Sequence, residues 1–238
     1  MQLEPLRLLD VPCCICGVDD AEPVAVGEDF EYRTSPDSFQ AVRCNRCRLV
    51  YLDPRPHQDE FDRIYPPSYH AFDFSADGTV QELERTGRSY HLAIMIQTIE
   101  HVDDPAAVLS SIRSLLTPGG RLVVVTDNVE TLDFRLFGGR HWGGYHFPRH
   151  WNLFSKKTLT RLAGNVGLEV EQMATILSPV NWVYSVRNAL VDYNAPSWIV
   201  NRFSLSSPGS LAVFTALDAL FQATGRGALL RAYLRRPQ

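Results

Sequence analysis

Thirty-nine residues, Tyr90 to Asn128, constrain this chain more than any others, because they read as strand, helix, strand. Leu92 to Ile96 is an apolar run too short for an ordinary helix and closed by Gln97 and Thr98, as expected of a strand buried on both faces. Asp104 is placed to cap a helix and Pro105 to occupy its first position. Val108, Leu109, Ile112, Leu115 and Leu116 then recur at helical spacing until Pro118, Gly119 and Gly120 stop the helix. Leu122 to Val125 is a second apolar run rich in β-branched residues, so two parallel strands joined by a crossover helix are expected. The fold class is therefore α/β.

The chain has 238 residues with 45% hydrophobic content, enough for a buried core, and a formal net charge of -4. A slightly acidic chain, pI near 6.0, lacks the electrostatic footprint of a nucleic-acid binder, so a small-molecule partner is expected. No stretch reaches the roughly 18 apolar residues of a membrane span, and the N-terminus lacks the pattern of a secretion signal. The expected location is the cytoplasm.

Cys13-x-x-Cys16 and Cys44-x-x-Cys47 are separated by 27 residues, a distance that an intervening hairpin can fill. Two such turns each point two thiolates at one tetrahedral Zn²⁺, and four thiolates leave no open position, so the metal is expected to be structural. A redox-active dithiol and an iron site of the same four-cysteine type are the alternatives. Cys14 is a spare thiol beside the first turn.

The ordered pieces Ile99-Glu100-His101-Val102, Asp104-Pro105 and Leu116-Thr-Pro-Gly-Gly-Arg-Leu-Val-Val-Val resemble the fourth to fifth strands of class I S-adenosylmethionine-dependent methyltransferases. The Glu-His pair and the Pro-Gly-Gly turn resemble the bacterial branch of small-molecule O- and C-methyltransferases that carry an N-terminal zinc motif. The resemblance implies a Rossmann-like sheet, S-adenosylmethionine as cofactor and a small-metabolite acceptor. It also implies a division into a zinc-binding module (1–52), an aromatic linker (53–77) and the C-terminal part of the methyltransferase-like domain (78–238).

Candidate site residues follow. Glu100 and His101 stand at the carboxyl end of a strand, where ligands bind open α/β sheets. By the resemblance, Tyr65 and Tyr69 line an acceptor pocket, and the segment Tyr145-His146-x-Pro148-Arg149-His150 lies over the acceptor. His146 or His150 would then serve as general base, with Tyr145 and Arg149 as substrate contacts. The clustering of His141, His146 and His150 also raises a second metal site, against which Pro148 argues. Histidines and aromatics that merely tie the loop to itself are the plainer alternative.

The sheet expected from the resemblance is incomplete. A strand, glycine-rich turn, helix, acid-tipped strand, helix and third strand need roughly 60 to 80 residues. Only the 16 residues from Ser75 to Tyr90 stand there, and the match resumes at Gly78 to Leu83. No glycine cluster elsewhere follows an apolar strand and opens a helix. Three readings follow: a methyltransferase for a small metabolite, an inactive zinc-binding remnant that associates with partners through the exposed part of its sheet, or a damaged reading frame with an internal deletion and no function. Towards the C-terminus, helices are expected from about Pro179 to Val191 and from Ser210 to Thr224, as core or lid elements rather than membrane anchors, with an amphipathic contact to a lipid-like substrate as the alternative. A final strand is expected from Ala228 to Leu234.

Overall fold

The computed structural model describes residues 4–67, 69 and 76–238, so residues 68 and 70–75 of the expected linker lie outside the described residues. The elements run β1 Leu8–Leu9, β2 Ala21–Glu28, β3 Ser38–Cys44, β4 Val50–Leu52, β5 Arg55–Pro56, α1 Phe61–Ile64 and α2 Ala76–Arg85. They continue β6 Tyr90–Ile96, α3 Pro105–Leu115, β7 Leu116–Asp127, α4 Leu132–Phe137, β8 Asn152–Leu153, α5 Lys156–Asn165 and β9 Glu169–Ile176. The chain closes with α6 Val180–Asp192, α7 Ser197–Val200, α8 Pro208–Gln222 and β10 Leu229–Arg235.

The expected strand, helix, strand unit is present. Asp104 caps α3 by accepting from the amide of Ala107 at 2.9 Å, and β6 pairs with β7 in parallel. The Pro-Gly-Gly turn plays a different part from the one expected of it. Here α3 already ends at Leu115, and Thr117 to Gly120 bulge from the first half of β7, so that Tyr90 faces Leu116 while Leu92 faces Arg121. Gly119 takes φ +77°, a backbone that favours glycine, and its amide donates to the carbonyl of Arg236.

The central sheet has the order β6-β7-β10-β9, with β10 antiparallel to both neighbours. Helices α3 and α5 cover one face, where Leu109, Leu116, Leu122, Leu159 and Leu162 are completely buried. Ser155 and Thr158 form a reciprocal cap on α5, and Gly167, at φ +72°, follows its end. The expectation that β6 is buried on both faces is overturned. Met95 is buried, whereas Leu92, Ile94 and Ile96 on the opposite face are 53%, 62% and 60% exposed, and among the described residues β7 is the one strand paired with β6. Alternation of side chains across a strand lets one face pack on α3 while the other stays bare.

A second, antiparallel sheet has the order β2-β3-β4-β8. The β2–β3 hairpin fills the interval between the two cysteine pairs. Its fourth strand comes from far along the chain: Val50 pairs with Leu153 and Tyr51 with Asn152. The cysteine turns also share a core with the central sheet, since Cys13, Cys44, Cys47 and Leu49 belong to one apolar cluster with Ile99, Val108 and Phe154.

Candidate active site

A cleft of about 1230 Å³ opens where the carboxyl ends of β6 and β7 meet Tyr65 and Tyr69, which follow α1, and the loop between α4 and β8. One wall is the bare side of β6, including Leu92, Ile94 and Ile96. The other is polar and aromatic: Tyr65, Tyr69, His101, Asp127, His146 and His150. The N-terminal sheet reaches in as well, through Glu31 and Tyr32 of the turn after β2.

Three histidines meet here. The rings of His101 and His150 lie 4.5 Å apart edge-on, and that of His146 is 5.0 Å from His150. His150 Nδ1 is 2.8 Å from the carbonyl of Gly144 and 3.3 Å from a carboxylate oxygen of Asp127. Both partners are acceptors, so Nδ1 carries the hydrogen and Nε2 presents the lone pair. Burial, with His101 and His146 alongside, holds His150 well below the ordinary imidazole range, so it is neutral at pH 7. His101 is also neutral, pushed down to about 3 by burial and by His146. Its Nδ1 lies 3.0 Å from the Tyr65 hydroxyl and 3.2 Å from the carbonyl of Arg149. His146, in the left-handed backbone region at φ +39°, has its Nδ1 2.7 Å from Glu31.

The carboxyl groups are under tension of a different kind. Asp127 accepts from Asn181 Nδ2 at 2.7 Å, and burial pushes it up to about 6. Glu100 is fully buried behind the cleft wall, accepts from the Thr126 hydroxyl at 2.7 Å and leaves its other oxygen unpartnered. Burial and the nearby Asp127 push it up to about 8, so Glu100 is protonated at neutral pH. Its backbone carbonyl accepts from the amides of Trp151 and Asn152, which fixes the start of β8.

The sequence-derived residues thus fall into two groups. Tyr65, Tyr69, His101, His146 and His150 line the cleft together, while Glu100 stands just behind it. Tyr145 and Arg149 point elsewhere. The Tyr145 hydroxyl donates to the carbonyl of Gly138 within the core, and its ring stacks on Phe147 at 4.8 Å. Arg149 is completely buried against Asp29 and the carbonyl of Ile64. Among the described residues, ligand atoms of Glu100, His101 and His150 approach within 4.8 Å of one another, close enough to share a cation. That grouping differs from the His141, His146, His150 set, because His141 turns away to Asp192 at 2.8 Å. Glu31, Tyr32, Asp127 and Asn181 were not singled out from sequence; only Asp127, at the end of an apolar strand, carried a signal that pointed to it.

Outside the cleft lining, Cys13, Cys16, Cys44 and Cys47 converge, with sulfur atoms 3.3 Å apart between Cys13 and Cys47 and 3.5 Å between Cys16 and Cys44. Sulfurs around a tetrahedral zinc at about 2.3 Å stand within a few tenths of an ångström of these separations, so the set fits the ion. Gly17 at φ +67° makes the first turn possible. Cys14 points away, to Asn152 Oδ1 at 3.1 Å.

A family model described as a methyltransferase domain matches residues 36–173, more than half of the chain. The chain belongs to the methyltransferase-domain family. This is the class I, S-adenosylmethionine-dependent family whose fourth and fifth strands the Tyr90 to Asn128 segment resembles. Among relatives, the ubiquinone biosynthesis O-methyltransferase of Cereibacter sphaeroides strain ATCC 17025 is 30% identical over 123 residues, covering 48% of this chain and 50% of that protein. The protein of the same name from Dinoroseobacter shibae is 28% identical over 123 residues, with the same shares covered. The chain spans about half the length of the curated relatives it matches. Among solved structures, an S-adenosylmethionine-dependent methyltransferase from Mesorhizobium loti has a TM-score of 0.35 at 14% identity, with 62% of each chain covered. Phosphoethanolamine N-methyltransferase 2 of Haemonchus contortus has a TM-score of 0.36 at 16% identity, covering 63% of this chain and 34% of that one. Among the described residues of this methyltransferase-family chain, no helix is long and apolar enough to cross a membrane.

Proposed function

We propose that this methyltransferase-family chain methylates an acidic hydroxyl, phenolic or enolic, on a small metabolite. The observation that carries the reading is the pair formed by Asp127, at the carboxyl end of β7, and His150, in the loop before β8, with a neutral imidazole whose Nδ1 is engaged and whose Nε2 is left to take a proton. A positioned base whose own orientation is fixed by a carboxylate is the arrangement that proton removal needs. Burial makes His150 a weak base, which suits an acceptor proton that is already acidic and suits an aliphatic alcohol poorly. Asp127 would stabilise the imidazolium as it forms. Tyr65, Tyr69 and Tyr32 supply flat apolar surface for a ring. The names of the relatives, O-methyltransferases of ubiquinone biosynthesis, point to the same kind of acceptor atom.

S-adenosylmethionine would supply the electrophilic methyl group. The residues present meet part of what it requires. The cleft offers volume and a polar end at Gln97, Thr98 and Asp127, but the sequence between Ser75 and Tyr90 holds no glycine-rich turn. No step is therefore assigned to the bound cofactor. In the same reading zinc, held by Cys13, Cys16, Cys44 and Cys47, is structural.

The exposed face of β6, and its outer edge, unpaired among the described residues, favour a second reading, in which the chain is an inactive, zinc-bearing partner that associates through its incomplete sheet. Calorimetric titration of zinc-loaded protein with S-adenosylhomocysteine separates the two. Saturable micromolar binding, followed by methyl transfer to catechol-type acceptors, supports the enzyme. A folded, zinc-containing sample that binds none overturns it.

A further inference from the structure

Helix α8 breaks the ordinary rule for a surface helix. Such a helix turns its apolar stripe to the core and its polar residues to water. On α8 the inward stripe is present: Phe214 and Phe221 stack on Trp182 at 5.9 and 6.3 Å. The outward side of the helix, however, is Ala212, Val213, Ala216, Ala219 and Leu220, all exposed and apolar, and the first exposed polar side chain beyond it is Thr224. Val213 is 64% exposed and Leu220, two turns on, 69%. The expectation of a core or lid helix thus accounts for one face only.

Trp198 is 63% exposed, Tyr193 75% and Leu205 47%, and the guanidinium of Arg202 lies 5.6 Å over the Trp198 ring. From Tyr193 to Ala228 the acidic residue is Asp218 alone. It is completely buried, accepting from the amides of Ser178 and Ala228, whereas Arg202 and Arg226 are exposed. In a chain with four more acids than bases, the stretch from Tyr193 to Ala228 therefore combines an exposed apolar helix face with exposed aromatic rings and arginines. Apolar side chains that sink below headgroup level, Trp and Tyr at the boundary and Arg at the phosphates form the arrangement of an interfacial helix.

We infer that the α7–α8 segment docks this protein on the surface of a bilayer containing anionic phospholipid, with Val213 and Leu220 inserted and Arg202 at the headgroups. The inference does not depend on the methyl-transfer reading, since of the residues it uses Leu205 alone borders the cleft. It is tested with the full, zinc-loaded chain and vesicles of phosphatidylcholine, with and without a third of phosphatidylglycerol. Trp198 is the exposed one of four tryptophans, so its emission should shift to the blue and escape aqueous quenchers on docking. The protein should float with the anionic vesicles and be released by salt. Val213→Glu/Leu220→Glu, on an exposed face and hence compatible with folding, should weaken binding by about tenfold or more, and Arg202→Glu should remove the preference for anionic lipid. Failure to float, or flotation unchanged by the double substitution, overturns the inference. So does a dimer in light scattering that the same double substitution dissociates, which would assign the face to a second copy of the chain.

Discussion

Arg149 and Asp29 form a two-pronged ion pair, with nitrogen–oxygen distances of 2.9 and 3.1 Å and no exposed surface on either side chain. They stand 120 residues apart in sequence. Asp29 also accepts from the amides of Tyr32 and Thr34, and Arg149 Nε donates to the carbonyl of Ile64. One buried pair therefore joins the turn after β2, the end of α1 and the histidine loop, three of the pieces that surround the cleft. Burial raises the Asp29 carboxyl, but the hydrogen bonds and charge of Arg149, with the backbone amides, outweigh it and leave it below the usual range.

Removing one partner leaves an uncompensated buried charge. Asp29→Ala and Arg149→Met should each cost about 3–5 kcal/mol, while Asp29→Leu/Arg149→Met together should cost less than either alone. Denaturant unfolding of the four proteins measures this. Because the folded-state value of Asp29 is depressed, its contribution is complete above the unfolded carboxylate range and is lost as pH falls through the folded value, so the penalty of Asp29→Ala should shrink in acid.

The cysteine cluster predicts one tightly held metal per chain. Cys44→Ser should release zinc and unfold the β2–β4 region, since metal binding supplies on the order of 10 kcal/mol of folding free energy in such sites. Cys14→Ser should leave the metal in place, because that thiol is bonded to Asn152 instead. Metal analysis with circular dichroism distinguishes the two outcomes; equal zinc loss in both variants would overturn the assignment of ligands.

Local chemistry made much of this legible. The 3.6-residue period of α3, its Asp104 cap, the Ser155 cap of α5 and the paired cysteines each act over a few residues, so a sequence displays them directly. What escaped is long-range. Nothing local to Asn152 and Leu153 says that they complete a sheet whose first strand begins at Ala21. Nothing in the Leu92 to Ile96 run says that one of its faces lacks a cover, because the apolar pattern is the same in either case. Arg149 likewise read as a substrate contact until its partner Asp29 was known, since the residue type suits either an anion or a buried aspartate.

Glu100 gives a pH prediction of the opposite sign to Asp29. Its folded-state value, about 8, lies above that of an exposed glutamate, so the native state holds the proton more tightly than the unfolded one. Stability from this group is present at low pH and declines as pH rises from the unfolded value through about 8. Asp127, raised to about 6, adds to the same slope. Glu100→Gln keeps an acceptor for the Thr126 hydroxyl and cannot ionise, so its thermal midpoint should fall less than that of the parent between neutral and alkaline pH. Parallel curves for the two proteins would mean that Glu100 is ionised when folded.

His150 is the position at which the enzymatic reading is most exposed to test. His150→Gln retains a donor for the Gly144 carbonyl but offers no basic nitrogen, so methyl transfer should fall by about 10²–10⁴ while S-adenosylhomocysteine affinity stays within a factor of a few. A loss of both would point to collapse of the loop. Retention of both would remove His150 from the chemistry and leave Asp127 or His101 as the base to examine.

Ile94 and Met95 are neighbours in β6 that face opposite ways, 62% and 7% exposed. The difference turns the bare face into a measurable claim. Met95→Ala removes a side chain from the core beneath α3 and should cost about 2–5 kcal/mol, whereas Ile94→Lys meets only solvent and should stay within about 0.5 kcal/mol of the parent. If the chain instead works by associating through this face, the same Ile94→Lys should abolish a dimer or a complex seen by light scattering, since a lysine on an edge strand opposes pairing. A large stability loss at Ile94 in a monomer would show that this face is covered in solution, and by the chain itself.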